Sequence, residues 1–149
     1  MIAHGEMLET PAATMLVPLL NQVRLLIGKY DSVVTNPPYM GTRYLNALLK
    51  RHVKDNFSGY EKDLFSAFIV RCHDLAKENG LLGFMCPFTW MFTSTHERLR
   101  AHLLSQATIT SLIQLEYSGF DGATVPICTF TACKQHIAKF AASFIRLSA

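Results

Sequence analysis

Apolar positions along the chain fall into blocks that change period. Residues 12–28 carry Leu16, Leu19, Leu20, Val23 and Ile27 at helical spacing, and Gly28 can end that helix. Residues 31–35 then read as a short buried strand. It runs into Asn36-Pro37-Pro38-Tyr39-Met40-Gly41, where two prolines forbid both helix and ladder pairing. A second helix is predicted over 43–53 and a polar, mobile loop over 54–60. The clearest helical stripe is 61–78, with Leu64, Phe65, Phe68, Ile69, Cys72 and Leu75 on one face and Gly80 as its stop. Residues 81–86 form an apolar strand ended by Pro87. Ser94-Thr95-His96-Glu97 fits a capping box opening a helix to about 104. Residues 109–116, 124–133 and about 140–147 read as strands, with a glycine-bearing loop at 117–123.

Helix and strand alternate for most of the length, which predicts an α/β fold with an open, mostly parallel sheet. The last strands follow one another without a helix, so a reversed edge strand is expected. No repeat, low-complexity segment or linker interrupts the pattern, and 149 residues suit one domain or part of a larger one.

Composition refines this only slightly. Half the residues are hydrophobic and 17% charged, enough apolar material for a core. A mean hydropathy of +0.19 suits buried strands. The net charge of +3 permits contact with a polyanion without requiring it. Cys72, Cys86, Cys128 and Cys133 show no zinc-like spacing with each other or with histidine. They read as reduced small hydrophobes, and the expected compartment is cytoplasmic. No metal site, signal peptide or membrane span is expected; the stretch 15–27 is interrupted by Pro18, Asn21, Gln22 and Arg24.

The candidate chemistry lies in the loop after the first strand. Ligands of such sheets bind beyond the carboxyl ends of the strands. Two prolines stiffen the loop and remove two N–H donors, leaving carbonyl oxygens, the Asn36 side-chain acceptor and the Tyr39 ring. Paired acceptors beside an aromatic face suit a planar group bearing an NH2. Holding both hydrogens, by the Asn36 side-chain oxygen and the Pro37 carbonyl, draws a conjugated amine toward tetrahedral geometry and frees its lone pair. A rigid turn after a strand is the plainer alternative.

Asp31-Ser-Val-Val-Thr-Asn36-Pro37-Pro38-Tyr39-Met-Gly resembles the catalytic motif of N6-adenine DNA methyltransferases. Its flanks look most like the large single-chain restriction-modification and phage-defence (BREX-type) enzymes. The resemblance implies a partial Rossmann-like S-adenosylmethionine-dependent methyltransferase fold, with S-adenosylmethionine as methyl donor and DNA as partner. Asn36 and Pro37 would bind the target amine. Tyr39 would stack on a flipped adenine, with Pro38 in the base pocket. The same four residues occur in glutamine and guanine N-methyltransferases, so RNA or a protein glutamine is an alternative acceptor, and a non-catalytic remnant or interaction module is a third reading.

Further positions follow from the resemblance. Asp63 and Phe65 match an acidic and an aromatic residue near the donor's adenosine; a helix-capping acid and a core Phe explain them equally. Trp90, with Phe88, would wall the pocket, or pack at the sheet's top edge. Phe120 would cover the other face of the base, while Ala123 stands where some relatives carry a lysine. Lys50, Arg51 and Lys54, with His52, are the densest basic cluster and could reach DNA phosphates or simply be solvated. His4, His73, His96, His102 and His136 have no assignable partners.

The Gly-rich turn and ribose-binding acid of such a domain do not precede Asn36, and no target-recognition domain follows. Residues 1–149 are therefore expected to be a single partial catalytic domain, inactive alone. Its partners would be the missing half or other defence-system subunits.

Overall fold

The computed structural model describes residues 11–116 and 125–147, with side chains from residue 14 onward. Helix α1 (Pro11–Ile27) leads to strand β1 (Tyr30–Thr35). Helices α2 (Ala47–Asn56) and α3 (Leu64–Leu75) precede β2 (Ala76–Pro87). Helix α4 (Glu97–Gln106) is followed by β3 (Thr108–Gln114), β4 (Ile127–Cys133) and β5 (Ser143–Arg146).

The five strands form one mixed sheet in the order β1-β2-β4-β3-β5. β1 runs parallel to β2, and β3 parallel to β5, while β4 opposes both of its neighbours. The α/β class and the reversed strand follow the sequence reading. The position does not: the reversed strand is interior, and the edge strand β5 is parallel. β4 occupies the position between β2 and β3. Burial marks the difference. Ile127, Cys128, Phe130 and Ala132 of β4 are buried, whereas all four residues of β5 are exposed.

Strand alternation gives the sheet two unlike faces. One carries Leu82, Phe84, Cys86, Leu112, Cys128 and Phe130 against Phe65 and Ile69 of α3 and Leu99 and Leu103 of α4. Each such side chain contributes about 1.5–3 kcal/mol by leaving water. The opposite face carries Val34, Gly83, Met85, Ile113 and Thr129. These line an open hollow of about 360 Å³ that reaches Asn36.

Several boundaries differ from the sequence reading. α2 continues three residues past 53, and its N-terminus is capped by the Asn46 side chain, which accepts from the Leu49 amide at 2.8 Å. The following turn places Gly59 at φ 91°, where a Cβ would lie 2.4 Å from Arg98, whose guanidinium sits over the Tyr60 ring. α3 stops at Leu75, and the strand takes over at once. Ala76 pairs with Tyr30, but the next pair is Ser32 with Leu81, so β2 bulges around Asn79 at φ 63°. Gly80 therefore serves the bulge: a Cβ there would lie 2.8 Å from the Lys77 carbonyl oxygen. The capping box at 94–97 does not form. Residues Ser94–His96 make a 3₁₀ turn, and α4 starts without a side-chain cap.

Candidate active site

β1 delivers the Asn36 loop to the rim where the two sheet faces meet. β-branched Val33 packs toward the core, Val34 is 77% exposed on the open face, and Thr35 ends the strand. Beyond it Asn36 and Pro38 are exposed, Pro37 is fully buried and Tyr39 is half-buried against the core. The loop is thus pinned at alternate residues, and Asn36 is held outward between a strand end and a buried proline.

The Tyr39 hydroxyl lies 2.8 Å from Asn36 Oδ1 and 3.1 Å from the Met85 carbonyl oxygen. Its single proton is shared between these two acceptors, which holds the tyrosine ring beside the asparagine amide. Burial raises the Tyr39 pKa, with further contributions from Cys86 and Cys128, so the phenol keeps its proton. Cys86 and Cys128 are opposite each other on β2 and β4, and their contact, together with burial, pushes the Cys86 thiol up. All four cysteines are free. Among the described residues the Pro37 carbonyl accepts no hydrogen bond, whereas Asn36 Oδ1 has one lone pair in use and one to spare.

The far end of the loop is fastened to the start of α3. Met40 N donates to Asp63 Oδ1 at 3.1 Å, and Leu64 N donates to Met40 O at 2.9 Å. Thr42 N donates to Lys62 O, and the Thr42 hydroxyl to Glu61 O. The same Asp63 oxygen caps α3 by accepting from Phe65 N at 3.3 Å. Burial raises the Asp63 pKa, opposed by the amides of Phe65 and Met40 and by His96. One turn on, buried Ser66 meets His96 Nδ1 at 3.0 Å. That contact ties the segment after β2 to the same helical turn, and Arg100 adds bonds to the carbonyls of Trp90 and Thr93.

These contacts revise several expectations. Phe65 is 1% exposed, with its ring 5.0 Å from that of His96, so it offers no surface to a cofactor. Asp63, expected beside the donor, spends one carboxylate oxygen on two amides. Trp90 is 3% exposed on the helix-covered face, its ring 5.1 Å from Phe130, and its indole N–H has no partner among the described residues. It is core, not pocket wall. Phe120 and Ala123 lie outside the described residues. Lys50, Arg51 and Lys54 are exposed on α2, and Arg51 is 3.5 Å from Asp55. Among the described residues no group of three or more His, Cys, Asp or Glu side chains could hold a metal ion. No helix there is long and apolar enough to cross a membrane.

Sequence reasoning missed the anchoring role of the Met85 carbonyl, because a backbone acceptor leaves no mark in composition. It also missed the histidine partners. His96 has Ser66; His73 has the Gln106 carbonyl and, at 4.8 Å between centroids, the ring of His102; His136 has Leu104 O. Burial lowers the pKa of His73, His96 and His102. Ser66 at a helical position facing a short 3₁₀ turn was the available signal.

Comparison with known proteins adds the following. Residues 13–120 match the model of the Eco57I restriction-modification methylase family. The chain is 33% identical over 147 residues to the adenine-specific methyltransferase BrxX of Escherichia coli O9:H4 (strain HS), covering 97% of this chain and 12% of the relative. It is 31% identical to the adenine-specific methyltransferase PglX of Lacticaseibacillus casei (strain Zhang), covering 87% and 11%. The chain thus spans about an eighth of the length of these two relatives. Among solved structures, the Type ISP restriction-modification enzyme LlaGI, as a nuclease-deletion mutant with a DNA substrate mimic, superposes with a TM-score of 0.69 at 12% identity. That match covers 92% of this chain and 14% of LlaGI. A class I S-adenosylmethionine-dependent methyltransferase from Listeria monocytogenes gives 0.62 at 16% identity, covering 83% and 38%.

Proposed function

The chain belongs to the Eco57I restriction-modification methylase family, and on that premise we propose that it is the target-base portion of an adenine-N6 DNA methyltransferase. The observation that carries this reading is the pair of acceptors at the end of β1: Asn36 Oδ1, contacted by the Tyr39 hydroxyl, and the carbonyl of the next residue, Pro37, which accepts no hydrogen bond among the described residues. An adenine amine seated there gives one N–H to each oxygen. Its nitrogen loses conjugation with the ring, and positive charge developing on it is met by two acceptors already in place. Tyr39, fastened at its hydroxyl, is the ring on which the flipped base stacks. Pro38 borders the same pocket, and Phe120 is the candidate for its other wall.

S-adenosylmethionine is the donor that the family implies, supplying an electrophilic methyl group. Of the two residues expected to hold it, Phe65 is buried and Asp63 spends one carboxylate oxygen, Oδ1, on the loop and the helix cap. Donor binding is therefore assigned to another part of the enzyme, and these residues alone do not methylate DNA. Lys50, Arg51 and Lys54 supply a small basic patch for phosphates. The partners are DNA and the remainder of the methyltransferase or other defence-system subunits, in the cytoplasm.

The test uses labelled S-adenosylmethionine and duplex DNA, with the chain alone and with the donor-binding portion of BrxX added. Label is expected in N6-methyladenine only with the added portion, and Asn36→Ala abolishes it. Transfer by the chain alone would overturn the division of labour; label on RNA or on glutamine would change the acceptor.

A further inference from the structure

We infer that Asp63 is the positioning residue of the Asn36–Tyr39 loop, acting on the acceptor side of the site and not on a methyl donor. This deepens the function proposed above and rests on it for its catalytic consequence, though not for its structural one.

The loop has two ends. Its entry is set by the β1 ladder, with Thr35 opposite Phe84. Its exit has no ladder beyond the isolated bridge between Gly41 and Asp63. Met40 directly follows Tyr39, and its amide and carbonyl are both spoken for at α3: the amide by Asp63 Oδ1 and the carbonyl by the Leu64 amide. A single carboxylate oxygen therefore joins the loop exit (Met40 N) to the first turn of the helix (Phe65 N). The anchor is rigid because the turn behind it is rigid. Phe65 and Ser66 are fully buried, Ser66 is bonded to His96, and the Ser66 amide donates to Asp63 O at 3.1 Å. Moving Met40 would move Tyr39, and Tyr39 orients Asn36. Asp63 thus reaches the amine-binding oxygen through three consecutive contacts without touching a substrate.

The chemistry needed from Asp63 is acceptance at one oxygen, not negative charge. Its partly buried, raised-pKa carboxyl fits that role. An asparagine offers the same acceptor, so Asp63→Asn should preserve the loop, while Asp63→Ala should release it.

Amide hydrogen exchange of the chain, resolved by residue, provides the first readout. In Asp63→Ala, exchange at Met40 and Gly41 is expected to rise about tenfold or more, with β2 and β4 amides unchanged. In Asp63→Asn it stays within about twofold of the parent. Asn46→Ala, which removes the cap of α2, controls for general loosening and leaves Met40 slow. Unchanged Met40 exchange in Asp63→Ala overturns the inference, whatever the activity results show. The second readout is methyl transfer in the complemented assay above. Asp63→Ala should lower kcat while the KM for S-adenosylmethionine stays within about twofold, and Asp63→Asn should restore kcat. A donor KM raised in both variants with kcat retained would assign Asp63 to the donor and overturn the inference. If complementation yields no transfer at all, the function proposed above fails, and the exchange experiment still decides the role of Asp63.

Discussion

The two faces of the sheet are built from the same strands and do opposite things. Toward α3 and α4 the strands present Leu82, Phe84, Cys86, Phe130 and Leu112, all buried in one cluster. On the other side the intervening residues are Val34, Gly83, Met85, Thr129 and Thr131, which line a hollow; Val34 and Thr131 are exposed, Met85 and Thr129 half-buried, and Gly83 is buried beneath Val34. Period-two alternation made this split, and what differs is what was placed at the odd and even positions. The candidate active site straddles the boundary. Tyr39 packs against the covered side and Pro37 is buried, while Asn36 is exposed at the open hollow. Anchored and exposed residues thus alternate within one short loop.

Truncating each face in turn should give very different losses of stability. Phe130→Ala removes a ring that is 1% exposed and packed against Phe84 and Trp90. It should cost about 3–5 kcal/mol in urea unfolding, enough to leave much of the chain unfolded. Val34→Ser, on the open side of β1, should change stability by no more than about 0.5 kcal/mol. Similar losses from both would mean that the open face is covered in solution.

Tyr39→Phe tests the residue that spans the boundary. It removes the hydroxyl that serves Asn36 and Met85 while keeping the ring in the core. A loss of about 1 kcal/mol is expected from the missing hydrogen bond, together with a fall in methyl transfer if the complemented enzyme is active. Asn36→Ala, in contrast, should leave the unfolding midpoint nearly unchanged while abolishing transfer.

A smaller effect comes from pH. His73, His96 and His102 all lie on the covered side, and burial lowers each pKa below the ordinary 6.5. Between that value and their lower folded values the unfolded chain binds more protons, so stability declines as pH drops through this window and levels off below it. Asp63 works in the opposite direction. Its folded pKa lies above 3.8, so the folded state binds the extra proton in the carboxylate range and this contribution favours folding as pH falls there. Thermal midpoints measured from pH 7 to pH 4 should fall first and then flatten. Ser66→Ala should shrink the histidine part, because it removes the partner of His96.

How much of this was legible in the sequence depends on whether neighbouring residues or distant ones decided it. The β1 strand and the Asn36 loop are dictated locally, by β-branched residues followed by two prolines, and the structure places both; the strand was read as buried, but it lies at the sheet edge with Asp31, Ser32 and Val34 exposed. The extent of α3 was misjudged, because Ala76 to Asn79 suit a helix by propensity but pair with β1 as strand. The interior slot of β4 was not legible: strands of similar composition can fill an edge or a gap, and only the finished sheet distinguishes them. Phe65 and Trp90 failed as site residues for a related reason. An aromatic near a ligand loop can face the pocket or the core, and the face depends on a helix or turn phase that composition does not fix. The capping-box residues at 94–97 were displaced by a 3₁₀ turn whose His96 is drawn toward Ser66.

The hydroxyl of Tyr39 has one more consequence. When its one proton goes to Asn36 Oδ1 and not to the Met85 carbonyl, it holds the oxygen end of the amide toward the ring. An amide so held would sort heterocycles by polarity: an exocyclic amino group would meet an acceptor, while a keto group would meet a second oxygen and be turned away. A single phenolic proton, placed three residues along the chain, would thereby act as a sieve between amino and keto bases before any chemistry begins.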